Sequence, residues 1–304
     1  MAKFSRIVLA ERPKGQPTRA NFRLEHGEIP QAAQGQVLVR TIWMSLDPYM
    51  RGRMDDAKSY ADPVALGDTM EGGGVGEIIA SHHPDYAAGD IVVGRPGWAS
   101  HAALPGDEIR KVDPAIAPIS TALGVLGMPG HTAWVGLNDI AQAKSGETIV
   151  VSAATGAVGS LVGQLAKAKG LRVIGVAGGP DKCAFATDEL GFDACLDHRA
   201  APDWKTLSGQ IKEAAPKGVD VYFENVGGKT LEAVIPRMNT WGRIAICGMI
   251  SWYSGQGVAE AAPLPVMWRN ILTRRLRVQG YIIFDHNDRF QPFAHEVAPM
   301  VADG

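Results

Sequence analysis

Ala153-Ala154-Thr155-Gly156-Ala157-Val158-Gly159 is the stretch on which the fold of this chain turns. Ahead of it, Thr148 to Ala153 reads as a strand, and behind it Gly159 to Lys169 reads as a helix with Leu161, Leu165 and Ala168 on one stripe. A second strand, Arg172 to Ala177, follows, so the unit is strand, glycine-bearing loop, helix, strand. In that setting Gly156 lets the backbone approach a pyrophosphate, and Gly159 lets helix and strand pack closely. The helix N-terminus adds free N–H groups and a positive dipole end. Ala154 stands where the G-x-G-x-x-G fingerprint has its first glycine, so the strand–turn–helix context carries the reading. Ala154, Thr155, Gly156, Ala157 and Val158 are the candidate dinucleotide contacts.

About 20 residues on, an NAD enzyme offers Asp or Glu to the ribose 2′-hydroxyl. Here the second strand ends in Val176-Ala177-Gly178-Gly179-Pro180-Asp181-Lys182, with no acid at the tip. Asp181 reads as a first-turn helix residue facing the dipole, and Lys182 as an ammonium that can meet a 2′-phosphate. NADP is therefore favoured over NAD.

The alternation continues outward through helix Asp181 to Leu190, strand Ala194 to Asp197, helix Trp204 to Ala215 and strand Val219 to Glu224. It goes on through helix Lys229 to Met238, strand Arg243 to Cys247 and strand Leu276 to Phe284. Helical texture begins earlier, at Ile119 to Leu126 and His131 to Ala143, and the run Arg274-Arg275-Leu276-Arg277 reads as a helix end. Before residue 118 the pattern is short alternating runs, Val37 to Met44, Gly74 to Ala80, Asp90 to Val93 and Glu108 to Val112, punctuated by Gly and Pro. That part reads as all-β, a small barrel or bent sandwich. The expected organisation is residues 1–120, residues 121–288 and a last segment, 289–304. A chain of 304 residues is long enough to split into two cores.

Composition agrees with an ordinary globular protein, 46% hydrophobic and 20% charged with a net charge of −2. No basic run marks a nucleic-acid or acidic-membrane partner, and no apolar stretch reaches transmembrane length. Glycine is the outlier, 36 of 304 residues, pointing to tight turns and close backbone approaches. Cys183, Cys195 and Cys247 are scattered, giving neither a disulfide framework nor a CxxC metal knuckle and fitting a reducing cytosol. A zinc site needs clustered Cys and His ligands, yet no cysteine precedes Cys183, and His82-His83 lies in a loop beside Pro84 and Asp85. No metal is expected.

Six segments carry a resemblance to a known family. They are Met44-Ser45-Leu46-Asp47-Pro48-Tyr49-Met50-Arg51, Glu71-Gly72-Gly73-Gly74-Val75-Gly76, Gly127-Met128-Pro129-Gly130-His131-Thr132-Ala133, the Ala153 to Gly159 loop, Glu224-Asn225-Val226-Gly227-Gly228 and Cys247-Gly248-Met249-Ile250-Ser251. In this order they resemble the zinc-independent medium-chain dehydrogenase/reductases, above all the NADPH-dependent alkenal/one reductases that include prostaglandin and curcumin reductases. The resemblance implies an α/β chain with a GroES-like β-barrel substrate domain, a doubly wound parallel-sheet Rossmann domain and the active site between them. It implies NADP(H), hydride transfer to the β-carbon of a small hydrophobic α,β-unsaturated ketone or aldehyde, and a homodimer through the Rossmann sheet edge near Leu276 to Phe284.

Residue by residue, the resemblance makes Tyr253 the hydroxyl donor to the enolate oxygen, with a loop-anchoring tyrosine as the competing role. Asn225, with Gly227 and Gly228, becomes a nicotinamide-side contact, and Gly178, Cys247 and Gly248 become further cofactor contacts. Lys182 matches the 2′-phosphate lysine. His198 replaces the expected tyrosine after Leu196-Asp197, and Ser254 replaces the expected asparagine after Tyr253. Tyr49 is implied in the substrate pocket, with barrel packing as its alternative. Quinone reduction and non-catalytic NADPH binding remain alternative functions. Family members continue beyond Gly304 with a further helix and a closing strand, so a chain ending there is expected to leave a sheet edge unpaired and the NADP pocket partly open.

Overall fold

The computed structural model describes residues 4–303 other than 256, 257, 260 and 262. The chain divides into two units, residues 1–123 with 298–304, and residues 124–297.

In the first unit, strand propensity and period-two alternation give antiparallel sheets. β1 (Phe4–Leu9) pairs with β2 (Phe22–Gly27). β3 (Gln36–Met44), β4 (Gly74–Ser81), β5 (Ile91–Gly94), β6 (His101–Pro105) and β7 (Arg110–Lys111) form a five-stranded sheet in the order β6-β3-β4-β5-β7. Val37, Val39, Ile78, Val92, Leu104 and Ile109 bury one face of it. The short helix α1 (Met50–Arg53) sits on a second cluster of Leu9, Met50, Met54 and Met70.

The second unit is a six-stranded parallel sheet of β8 (Thr148–Ser152), β9 (Arg172–Ala177), β10 (Ala194–Asp197), β11 (Val219–Glu224), β12 (Met238–Ile246) and β13 (Arg277–Gly280), in the order β10-β9-β8-β11-β12-β13. All five residues of β8 are buried, as an apolar run in a sheet covered on both faces requires. The connecting helices are α2 (Met128–Val135), α3 (Gly159–Ala168), α4 (Pro180–Asp188), α5 (Trp204–Ala214), α6 (Gly228–Val234) and α7 (Leu264–Arg274), and α8 (Phe290–Ala302) follows β13. From β8 the order runs outward through β9 in one direction and through β11 in the other. Right-handed crossovers then place α3 on one face and α5, α6 and α7 on the opposite one. Leu207, Ile211, Ala233 and Val234, with Met267 partly buried, close that second face over Val150, Ile174 and Ile244. The reversal of strand order beside β8 creates the crevice at which such sheets bind ligands.

The structure corrects several element boundaries. Glu108 lies in a 3-10 turn, and only Arg110–Lys111 pair as a strand. The segment beginning at Ile119 is a 3-10 turn ending at Leu123, and the helix through His131 ends at Val135 and continues as a single π turn, Gly136–Ile140, short of Ala143. Pro236 closes the helix after Lys229, so Met238 starts a strand instead of ending a helix. The strand expected to Phe284 stops at Gly280, and a 3-10 segment from Ile283 rich in Asp and Asn takes over. Ala168 is exposed: the buried stripe of α3 is Leu161, Val162, Leu165 and Ala166, each large side chain contributing about 1.5–3 kcal/mol. Strands β1, β2 and β6 and helices α1, α7 and α8 are additions to the sequence reading. Arg274 is the last residue of α7, and Arg275 caps it in the left-handed conformation, so the basic run is a helix end as its sequence suggests.

Candidate functional site

The loop between β8 and α3 is shaped by backbone constraints. Ala153 adopts φ +50°, and the Gly156 N–H donates to its carbonyl at 2.8 Å, which closes a tight turn. The left-handed residue that the fingerprint assigns to a glycine is thus an alanine one position earlier. Ala154 is fully buried, its N–H donating to the Val176 carbonyl at 3.1 Å. A Cβ on Gly159 would lie well inside contact distance of the Ala153 carbonyl oxygen, so helix and turn approach as closely as glycine permits. No side chain caps α3, which leaves its N-terminal dipole for an anion, and Gly156 and Ala157 are exposed at the tip with Thr155 and Val158 half-buried beside them.

At the tips of β9 and β10 the Asp197 carboxylate accepts from the Gly179 and Arg199 N–H groups, both at 2.8 Å, and these bonds lower its pKa. A Cβ on Gly178 would meet Arg199 Nε at 2.8 Å and His198 Nε2 at 3.0 Å, so the two basic side chains lie over that glycine. Burial, followed by the charge of Lys229, pushes the His198 pKa down, and a neutral imidazole still donates one N–H. Lys182 stands exposed in the first turn of α4, close enough for its charge to act on His198. Arg199 and Lys229 are the residues missed by sequence reasoning. Arg199 was detectable as a base next to His198 at a strand tip. Lys229 was not, because its role is to donate to the carbonyls of His198 (2.6 Å) and Ala201 (2.8 Å), which fixes the turn.

The tips of β11 and β12 hold the remaining candidates. Asn225 donates from its backbone to Ser152 Oγ and from Nδ2 to the Ser152 carbonyl, both at 2.8 Å, which ties it to the end of β8. The Cys247 and Gly248 N–H groups donate to the Glu224 carbonyl at 2.9 and 3.1 Å, and Ile250 N–H to the Asn225 carbonyl at 3.1 Å. Burial pushes the Cys247 thiol up to about 11, so it is a neutral wall residue. The Tyr253 hydroxyl accepts from the Met249 N–H at 3.2 Å and would lie 3.0 Å from a Cβ on Gly248. Asn225, Gly248 and Tyr253 are thus gathered at one point. Tyr49 belongs to the first unit, at the start of α1 and packed on the Met50, Met54 and Met70 cluster. Burial is the main cause that pushes its phenol up to about 12. Among the described residues no three His, Cys, Asp or Glu side chains gather as a metal site.

Residues 5–112 match the family described as the N-terminal domain of oxidoreductase, and residues 157–298 the one described as zinc-binding dehydrogenase. NADPH-dependent curcumin reductase of Escherichia coli is 48% identical over 98% of this chain and 86% of its own length. Prostaglandin reductase 1 of Rattus norvegicus is 42% identical over 89% of this chain and 79% of its own length. The chain belongs to the alkenal/one reductase branch of the medium-chain dehydrogenase/reductases. Within the branch, CurA of Vibrio vulnificus has a solved structure that matches with a TM-score of 0.92 at 48% identity, over 99% of this chain and 88% of its own; a second structure of that protein is a complex with NADPH. Five of the six segments quoted from the sequence lie at strand ends, and the sixth, Gly127 to Ala133, opens helix α2. The residues present fit a dinucleotide: an uncapped helix start behind an exposed glycine, and Lys182, His198 and Arg199 around Gly178 for a further phosphate.

Proposed function

We propose that this chain is an NADPH-dependent reductase of the C=C bond of α,β-unsaturated ketones and aldehydes. The observation that carries this reading is the basic cluster around Gly178, combined with the gathering of Asn225, Gly248 and Tyr253 at the other end of the same strand edge. Similarity to a curcumin reductase and a 2-alkenal reductase supports the reaction class.

When bound, the cofactor supplies a hydride to the β-carbon of the substrate. The chain's own groups do the rest. The Ala154 and Gly156 N–H groups shape the turn, Thr155, Ala157 and Val158 present backbone N–H groups to the pyrophosphate, and Lys182, His198 and Arg199 hold the 2′-phosphate. Gly178 gives the 2′-phosphate end room beneath His198 and Arg199, and Asn225, Cys247 and Gly248 shape the nicotinamide side. Negative charge grows on the carbonyl oxygen as the β-carbon takes up the hydride, the Tyr253 hydroxyl donates to that oxygen, and a proton from water added at the α-carbon completes the saturated product. The bond from Met249 uses an acceptor lone pair of that hydroxyl and not its proton. Tyr49, neutral at physiological pH, contacts the apolar substrate. No metal takes part. Reduced-nicotinamide absorbance, followed with 3-nonen-2-one and the product identified by mass, tests the reading: saturated ketone formed with NADPH preferred over NADH supports it. NADPH bound but consumed with neither the enone nor a simple quinone would reduce the chain to a binding protein.

Lys182→Ala is expected to weaken NADPH about tenfold or more through loss of a charge-assisted phosphate contact, with NADH nearly unchanged. Titration of both cofactors checks this, and equal weakening of the two refutes the phosphate role.

The reading includes a homodimer in a reducing cytosol, where Cys183, Cys195 and Cys247 remain thiols. Among the described residues no helix is long and apolar enough to cross a membrane. α7 exposes Leu264 (64%), Trp268 (59%) and Leu272 (76%) at four-residue spacing, next to the edge strand β13. Trp268→Glu with Leu272→Glu is expected to yield a monomer in analytical ultracentrifugation where the parent sediments as a dimer.

A further inference from the structure

Glutamate is among the residues least often found fully buried, and a strand end ordinarily gives its carboxyl a route to water. Glu224, the last residue of β11, is nevertheless 2% exposed. Its Oε1 accepts three bonds, from Ser152 Oγ at 2.9 Å, Val226 N–H at 2.6 Å and Gly227 N–H at 3.0 Å. The Ser152 hydroxyl lies nearer to that oxygen than to the Phe223 carbonyl, at 3.3 Å, so its proton goes to the carboxyl. Its lone pair is then free to accept the Asn225 N–H at 2.8 Å. The backbone carbonyl of Glu224 accepts from the Cys247 and Gly248 N–H groups. One buried residue thus ties together the end of β8, the turn after β11 and the turn after β12.

The turn after β11 contains Gly227 and Gly228, with φ of +78° and +53°, and glycine brings the widest choice of backbone conformations. An acceptor from outside the turn is what narrows that choice. The second carboxyl oxygen of Glu224, Oε2, is buried against the Tyr222 hydroxyl and takes no bond from the turn. Burial is the largest cause raising the carboxyl pKa, and a neutral carboxyl presents a carbonyl acceptor at Oε1 with its proton at Oε2, beside Tyr222. A glutamine amide has the same shape, with an acceptor and a donor at the same two positions.

We propose that Glu224 is the positioning residue of the nicotinamide half of the site, its Oε1 holding Ser152, Asn225, Val226 and Gly227 in the arrangement that hydride transfer requires. It acts through Asn225 and the turn. The assignment rests on the reductase reading and deepens it. The phosphate end, built on the start of α3 and on Gly178, does not depend on Glu224. A displacement of about 1 Å at the reacting atoms is enough to cost about 100-fold in rate, so a shifted turn lowers kcat more than it lowers affinity.

The test compares two substitutions in the full chain. Glu224→Asp withdraws the acceptor by one carbon–carbon bond, about 1.5 Å, and Glu224→Gln keeps it in place. Turnover of 3-nonen-2-one is measured beside calorimetric titration of NADPH and of adenosine 2′,5′-bisphosphate, which has the 2′-phosphate end but no nicotinamide. Glu224→Asp is expected to lower kcat about 100-fold and to weaken NADPH by about threefold to tenfold, with the bisphosphate within about twofold of the parent. Glu224→Gln is the rescue variant, with kcat and NADPH affinity expected within about threefold of the parent. A purely structural role weakens both ligands by one factor and leaves kcat at saturation unchanged, and that result overturns the proposal. Impairment of Glu224→Gln equal to that of Glu224→Asp overturns it as well. Ser152→Ala, which removes the link between Oε1 and Asn225, replaces Glu224→Asp if that chain does not melt cooperatively, with an expected loss of about tenfold in kcat. A parent that reduces no enone refutes the reductase reading and leaves the titrations to decide. NADPH losing its advantage over the bisphosphate in Glu224→Asp then upholds the positioning role, and an unchanged ratio of the two affinities overturns it.

Discussion

Gly159→Ala lowers the melting temperature by about 4–12 °C and weakens NADPH more than about tenfold. The added Cβ collides with the Ala153 carbonyl oxygen, a backbone atom already fixed by the turn bond from Gly156 and the positive φ of Ala153. Neither side can rotate away, so α3 must move off β8 or the turn must open. Overpacking of this kind costs about 2–3 kcal/mol, and each kcal/mol lowers the melting point of a domain this size by about 2–4 °C. The same movement shifts the N–H groups at the start of α3, which explains why affinity falls together with stability. Gly156→Ala is the graded comparison: its Cβ would lie 3.1 Å from the same oxygen, a contact that a small shift relieves. Gly209→Ala in α5 is the opposite control, since nothing lies within 4 Å of its Cβ, and the lost backbone freedom should stabilise by about 0.5–1 kcal/mol. A Gly159→Ala chain with unchanged melting and unchanged NADPH affinity would remove the close approach from the account.

The parallel sheet was readable because β8, β9 and β11 are apolar runs bounded by glycines, buried as their composition demands. The β1 and β2 pair was not, since Phe22–Gly27 is mostly exposed and carries Arg23, Glu25 and His26 among few apolar residues. α7 was hidden for a different reason: it starts at Leu264-Pro265 and its apolar residues are divided between the core, at Met267 and Ile271, and the exposed stripe. These residues share one stripe of the helix, and Pro263 and Pro265 are what interrupt the pattern in the sequence. At the site, the glycines and Lys182 announce themselves by spacing, and the resemblance supplied Asn225 and Tyr253. The positive φ of Ala153 could not be read, because alanine carries no signal for it. Glu224 was equally silent. It stands as an ordinary strand-end residue in the sequence, and only the fold shows it bracing Ser152, Val226 and Gly227 from a buried position.

Tyr253→Phe is expected to lower kcat about 100-fold, the usual effect of removing one donor from a developing oxyanion, and to leave NADPH affinity within about twofold. Two roles compete for this hydroxyl. It accepts from Met249 N–H and so anchors the turn that follows β12, and it is the proposed donor to the substrate oxygen. The roles separate kinetically. An anchor acts on the position of Gly248 and Met249 in every state, so its loss raises KM for NADPH and lowers the melting temperature while kcat changes little. A donor to the oxyanion acts only as charge builds, so kcat and kcat/KM for the enone fall by the same factor and cofactor binding is untouched. Met249 N–H supplies the internal comparison, because it faces the turn surface, where water can replace the lost hydroxyl at small cost. Stability therefore should change by less than about 1 kcal/mol in the variant. Full turnover in Tyr253→Phe would assign the hydroxyl to the turn and require another group to face the carbonyl oxygen.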